Sequence, residues 1–377
     1  MEKTIDEDLL HAVALSLVPQ LGPGIYKNIV SYSGSARQFF NMTKGRAGKI
    51  PGVGPKLLGQ LTDKTTYLRA AHALLEEALK MDISVTTYLD KSFPQRLKSF
   101  PDSPILLFSR GQLNLNPART VGIVGTRNAT AYGKAVTAKI VEDLAPYQPT
   151  IISGLAYGID IEAHRAALQH NLPTIGVLGT PVNKIYPAYH VQIANQMMER
   201  GGLVSEYKVG SPLKASNFPQ RNRIIAGLSD ALIIVEAAKK GGALITAEIA
   251  FSYNKEIFAV PGNLQSTYSE GCNNLIRTMK AAIYMGPKDI ADTFSWSVGQ
   301  EEPAKTPIVL NLDDFDPMER SILQLLSEEK ELDIDQLSWR CQIPIPTLAS
   351  ILLGLEFQGL LKSLPGKKYQ WVSQKGR

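Results

Sequence analysis

Between Ile83 and Met285 the hydrophobic positions fall in short continuous runs rather than in strict alternation. Strand candidates are Val121–Val124, Thr150–Ile152, Thr174–Leu178, Leu203–Ser205, Ala231–Val235 and Glu256–Val260. Helical spacing fills the gaps over Gly133–Leu144, Ile159–Gln169, Val191–Glu199, Phe218–Leu228 and Ala243–Tyr253. Short β-branched runs without alternation belong to strands buried on both faces, and the intervening helices supply the cover. The pattern over 83–286 therefore predicts an α/β domain with a Rossmann-like, doubly wound, mostly parallel sheet. Ligands of such sheets sit at the carboxyl ends of the strands.

The flanks read differently. Residues 1–82 show short helical patterns, and Leu17–Val30 and Ile50–Leu61 each pair a glycine-containing turn with a helix. The second matches a helix-hairpin-helix (SAM-like) signature. Turn N–H groups of such hairpins can touch a nucleic-acid backbone without reading bases, although paired hairpins also serve as plain packing units. Residues 287–316 carry Pro287, Pro303 and Pro307 among acidic residues and read as a linker. Over 317–377, helical patterns at Met318–Leu326, Asp333–Arg340 and Pro346–Gln358 precede a hairpin of Leu360–Leu364 and Tyr369–Val372 around Pro365–Lys368. Three helices and a hairpin predict a winged helix.

Charge sharpens the picture. The net +5 is spread as +1 over 1–90, +8 over 91–290 and −4 over 291–377. The basic stretch is the α/β stretch, so an anionic partner is expected there. The winged-helix region holds only +1, so a protein contact is as good an expectation for it as DNA. No apolar run reaches the length of a membrane span. The start, MEKTIDEDLLHAV, lacks a basic segment followed by an apolar one, so no signal peptide is expected. Cys272 and Cys341 lie far apart and suggest neither a disulfide framework nor a zinc site. The cytoplasm is the expected compartment.

Candidate chemistry centres on Asn217–Glu248, NFPQRNRIIAGLSDALIIVEAAKKGGALITAE. Arg221–Asn222–Arg223 offers planar donor forks suited to phosphate oxygens. Gly241–Gly242 opens a helix, where backbone N–H groups can point at an anion. Glycine-rich turns also follow other strands: Gly125–Thr126–Arg127, then Ser153–Gly154–Leu155–Ala156–Tyr157–Gly158, then Gly179–Thr180–Pro181 with Tyr186–Pro187 beyond. Each alone is a strand-to-helix corner; together, with arginines near, they predict a phosphate-lined crevice. Phe218 beside the cations suits base stacking next to backbone contacts, and equally a core position at a helix start. Asp160 and His164 share a helical face, but such pairs are more often structural and no third metal ligand stands out. Neither a P-loop nor a G-x-S-x-G elbow is present.

The blocks VGIVGTRNATAYG, ISGLAYGIDIEAHRAAL, TIGVLGTPVNKIYP, GGLVSEY, FPQRNRIIAGLSDALIIVEAAKKGGALITAE and VPGNLQSTYSEGCNNLI resemble, in order, the DNA-processing protein A (DprA, Smf) family. The resemblance implies a protein without catalytic turnover or cofactor. It implies binding of single-stranded DNA by the α/β domain, homodimerisation through that domain, and help in loading the recombinase RecA during natural transformation. Carried onto this chain, the DNA pocket comprises Gly125, Thr126 and Arg127; Ser153, Gly154 and Ala156; Phe218, Arg221, Asn222 and Arg223; and Gly241, Gly242 and Thr246. Lys214 belongs to it less firmly, because its spacing to Phe218 is not rigid in the family. An alternative is an enzyme: GGALITAE, with Thr246 and Glu248, faintly resembles the GG-x-G-T-x-x-E motif of nucleoside-monophosphate phosphoribohydrolases, with the middle glycine replaced.

Overall fold

The computed structural model describes residues 5–298, 315–329, 331–358, 360–364 and 368–371. The chain forms two compact units, Met1–Val298 and Gly299–Arg377.

The first unit is built on one sheet. Its strands are β1 (Ser84–Thr87), β2 (Leu106–Arg110), β3 (Thr120–Val124), β4 (Thr150–Ser153), β5 (Thr174–Val177), β6 (Gly202–Ser205), β7 (Ala231–Ile234), β8 (Glu256–Ala259) and β9 (Ala282–Ile283). They lie in the order β1-β2-β6-β5-β4-β3-β7-β8-β9. From β6 to β9 all neighbours are parallel. β1 and β2 extend the sheet beyond β6 in antiparallel fashion. The six expected strands are all present, each end within one residue. β1, β2 and β9 were not anticipated: β1 is polar and half exposed, and both residues of β9 are exposed.

Alternation along the strands separates the two faces. Val124, Ile152, Leu232 and Ile234 pack under the helices Asn217–Leu228 and Gly242–Ser252. Val121, Ile123, Ile151 and Ile233 pack under Ala131–Leu144 and Ile159–Gln169. The sheet is thus covered on both sides, as the unbroken apolar runs require. Outward from β3 the chain lays down β4, β5 and β6, then returns to place β7 on the other side of β3. The switch point of the winding lies between β3 and β7.

Among the described residues six helices precede the sheet, from Glu7–Ser16 to the 17-residue Lys64–Lys80. Gly22 and Gly54 stand at the N-caps of Pro23–Ser33 and Pro55–Gln60, each with proline in the first turn, where a missing N–H costs nothing. The two glycine hairpins meet, with Asn28 Nδ2 donating to the Pro51 carbonyl at 3.1 Å. Their apolar faces join one cluster that runs from Val13, Tyr26 and Leu75 to Phe108 and Leu203 of the sheet's antiparallel side and Met197 of the helix Val191–Arg200. Lys27 donates to the carbonyls of Phe100 and Pro101 at 2.7 and 3.0 Å.

The expected linker begins too early. Pro287–Phe294 is a helix: Asp289 in its first turn accepts from the N–H groups of Met285 and Gly286, and Ile290 and Ala291 are buried. Proline here opens a helix rather than breaking one. Residues 299–314 of the expected linker lie outside the described residues.

The second unit has helices Pro317–Glu329, Ile334–Cys341 and Ile345–Phe357 with strands β10 (Glu331–Asp333), β11 (Leu361–Leu364) and β12 (Lys368–Trp371), ordered β10-β12-β11. Leu326, Leu337, Leu348 and Leu352 form its core. This is the expected winged helix, with β10 added. The expected hairpin turn at 365–367, and Val372, lie outside the described residues.

One contact ties the loops after β3 and β4 together. Gly158 has φ +79°, and a Cβ there would collide with the carbonyl of Thr126. The Ile159 N–H donates to that same carbonyl at 3.2 Å. Gly158→Ala is expected to cost at least ~2 kcal/mol through backbone strain and overpacking. Thermal unfolding of the full chain checks this, and a melting temperature equal to that of the unsubstituted protein would refute it.

Candidate nucleic-acid interface

A cleft of about 570 Å³ opens at the switch point, over the carboxyl ends of β3 and β7. One wall is the turn Gly125–Thr126–Arg127. Its backbone is held from β7: the Thr126 N–H donates to the Glu236 carbonyl at 2.7 Å. The buried Glu236 carboxylate then accepts from the Thr130 N–H and hydroxyl at 3.0 and 2.6 Å, next to the start of the helix Ala131–Leu144. Gly133 must lack a side chain because that carboxylate occupies the space. The Arg127 side chain is exposed and takes part in no ion pair among the described residues.

The opposite wall is Lys240–Gly241–Gly242 and the start of the helix Gly242–Ser252. That helix has no side-chain N-cap, so its first-turn N–H groups are left for solvent or an anion. Nothing lies within 4 Å of a Cβ placed on Gly241, and only the Asn222 amide approaches one on Gly242. A third side carries Phe218 and Tyr186, ring centroids 5.5 Å apart. The Arg127 guanidinium lies 6.0 Å from the Phe218 centroid. Phe218 rests against Gly179, where a Cβ would stand 2.9 Å from the ring.

Arg221 lies in the floor. It is 4% exposed and donates to the carbonyls of Gly154 and Val177, with its Nε 3.2 Å from Asn222 Oδ1. Burial lowers its pKa to about 10, so it stays protonated at neutral pH. Asp160, also buried at the floor, is pushed the other way: burial raises its carboxyl, against the pull of Arg221 and Arg127. The Ala156 N–H faces it at 3.4 Å. Asn222 donates to the Gly242 carbonyl at 3.3 Å, and the Thr246 hydroxyl donates to the same atom at 3.0 Å.

Of the residues anticipated for the pocket, Gly125, Thr126, Arg127, Ala156, Phe218, Arg221, Asn222, Gly241, Gly242 and Thr246 come together in this cleft. Others do not line it. Ser153 is fully buried, its hydroxyl donating to the Ile123 carbonyl at 2.6 Å, which braces β4 on β3. Gly154 lies beneath the floor, where a Cβ would stand 2.5 Å from Asp160 and 2.6 Å from Arg221. Arg223 points away, because positions two apart on a helix lie on nearly opposite sides. It pairs with Glu206 at 3.1 and 2.7 Å and approaches Asp102 at 3.9 Å. Lys214 is exposed in the segment before the helix; its neighbour Ala215 lines the cleft, but it does not.

Asp160 and His164 do not form a pair. His164 Nδ1 meets Thr174 Oγ1 at 2.7 Å, and burial lowers its pKa to about 3. No cluster of metal-ligating side chains occurs among the described residues. No described helix is long and apolar enough to cross a membrane. Lys240 was missed from sequence; the lysine pair directly before Gly241–Gly242 was the available signal.

Comparison with known proteins agrees with this architecture. Residues 84–295 match the family described as DNA recombination-mediator protein A, and 301–367 match the DprA winged helix domain. Protein Smf of Synechocystis sp. is 32% identical over 95% of this chain and 97% of its own length. DNA processing protein DprA of Bacillus subtilis is 41% identical over 52% of this chain and 66% of its own. The X-ray structure of DNA processing protein A from Streptococcus pneumoniae superimposes with a TM-score of 0.62 at 26% identity, covering 78% of this chain and 99% of that one. The Helicobacter pylori protein, solved for its single-stranded DNA binding mode, gives 0.52 at 28% identity over 57% and 97%. The chain belongs to the DprA/Smf family of DNA recombination mediators.

Proposed function

We propose that the switch-point cleft binds single-stranded DNA along its sugar-phosphate chain, and that the protein acts as a recombination mediator without catalytic turnover. The observation that carries this is the meeting of Arg127, Lys240 and an uncapped helix N-terminus with the rings of Phe218 and Tyr186 in one cleft. Cations and N–H groups suit phosphates, and ring faces suit unpaired bases. The single-stranded DNA binding mode described for the Helicobacter pylori relative supports the same ligand. The family's role extends the proposal to RecA loading on incoming strands during natural transformation, in the cytoplasm. A homodimer through the α/β unit fits the exposed Met279, Ile283 and Met285 around the edge strand β9, since an open edge with apolar neighbours favours pairing.

The phosphoribohydrolase reading needs the carboxylate of its motif, Glu248, at the cleft. Glu248 does not line it and instead pairs with Lys280 at 2.7 Å. Release of free base from AMP would revive that reading.

Titrations of single-stranded and duplex DNA of equal length, each at two salt concentrations, test the proposal. Affinity for the single strand should exceed that for the duplex and fall steeply with salt as counterions are released. Arg127→Ala and Lys240→Ala should each weaken binding about tenfold, the size of one charge-assisted contact. Arg223→Ala should leave affinity unchanged. Equal loss at position 223, or none at 127 and 240, would contradict the cleft assignment.

Acidity provides a separate check. Asp160 places a carboxyl beneath the phosphate path, and burial holds it above its ordinary range. Falling pH neutralises it before exposed carboxylates and removes a charge that repels DNA. His164 is held down to about 3 and His190 is also lowered by burial, so both take up protons less readily than exposed imidazoles. Affinity should therefore rise as pH falls, and Asp160→Asn should show a flatter profile. Parallel profiles for the two proteins would sink this role for Asp160.

A further inference from the structure

Arg127 belongs to two clefts. Beyond it, away from Lys240, lies a second cleft of about 510 Å³ between the 127–134 segment, the helix Ile159–Gln169 and Tyr189–His190. Its cations are Arg127, Lys134 and Arg165. Glu162, its one carboxylate, is taken by Arg165 at 3.5 Å. Arg127 and Lys134 take part in no ion pair among the described residues. The cleft therefore presents uncompensated positive charge.

It also presents rings. Tyr157 is 48% exposed and Tyr189 78%. Both rest edge-on against His190, with centroids at 5.0 and 6.1 Å. His190 is itself buried and fixed, its Nδ1 2.9 Å from the Leu155 carbonyl. A rigid buried imidazole thus props two open aromatic rings beside unpaired cations. The first cleft has the same composition, Phe218 and Tyr186 beside Arg127 and Lys240. Two such sites in succession, joined at one arginine, suit a chain whose charge and flat bases repeat. A compact anion would need neither the second pair of rings nor the length.

We propose that the second cleft carries the continuation of the same single strand: Arg127 holds the phosphate at the junction, Lys134 and Arg165 follow the backbone outward, and Tyr157 and Tyr189 stack its bases. The inference rests on the single-strand reading of the first cleft and extends its footprint in one direction.

Length dependence separates the two clefts. Anisotropy titrations of the full chain would use labelled oligothymidylates of about 6 and about 20 nucleotides, the short one spanning roughly one site. The unsubstituted protein should bind the longer strand more tightly. Tyr189→Ala, and Lys134→Ala combined with Arg165→Ala, should weaken the long strand about tenfold, and the short one less than about twofold. Tyr189 and Lys134 are exposed, so unfolding temperatures should match the parent. Variants that bind the long strand as the parent does would overturn the second cleft, as would a parent indifferent to length. Lys240→Ala tests the first cleft alone. If it binds both lengths normally while Tyr189→Ala still weakens the long strand, the first reading fails and the second cleft stands.

Discussion

A guanidinium sealed under the cleft organises everything above it. Arg221 reaches from the helix Asn217–Leu228 to the carbonyls of Gly154 and Val177, at the ends of β4 and β5. An arginine taken out of water at this depth is tolerable only if its donors are met. Here backbone carbonyls meet Nη1 and the Asn222 amide oxygen meets Nε, and Asp160 supplies opposing charge at longer range. Gly154 follows from the same geometry, since any side chain would enter the space between Asp160 and Arg221. The result fixes strand ends, helix and floor as one piece. It also places a positive charge in a low-dielectric setting, where its field in the cleft above is weakly screened.

The exposed donors are arranged around that floor by separate anchors. The turn bearing Arg127 is held by Glu236 through both its carbonyl and its carboxylate, and by Gly158 through close backbone contact. The side chain of Arg127 is left exposed. Lys240 and the uncapped helix N-terminus come from the far side of the switch point. A parallel sheet gathers such elements because every βα corner emerges on one edge, and the reversal of winding leaves a gap there that no crossover helix fills.

Much of this was legible in the sequence, for reasons that also explain the gaps. Unbroken apolar runs marked the strands buried on both faces, so those six were found to within a residue. β1 and β9 lacked that signal because their side chains are partly or wholly exposed. The family blocks marked loops that line the cleft but carried no directions. Arg221–Asn222–Arg223 reads as one cationic cluster, yet helical geometry turns Arg221 inward under the cleft and Arg223 outward to Glu206. Ser153 and Gly154 sit in the turn whose Ala156 lines the cleft, one layer too deep to reach it. Pro287 read as a linker residue because composition cannot distinguish a proline that opens a helix from one that ends it.

The same internal bonding bears on what the proposed ligand could be read for. Sequence discrimination needs donors and acceptors free to meet base edges. The polar side chains deepest in the cleft are already engaged. Asn222 and Thr246 both donate to the Gly242 carbonyl, and Arg221 commits its Nε and Nη1 donors to Asn222, Gly154 and Val177. What remains open is Arg127, Lys240, helix N–H groups and the faces of aromatic rings. Each of those meets any nucleotide equally well, because phosphates and ring faces are common to all four. Ring faces are reachable only when bases are unpaired. A cleft that commits its amide and hydroxyl groups inward and leaves charge and rings outward is therefore suited to separating single strands from duplexes, and unsuited to separating one sequence from another.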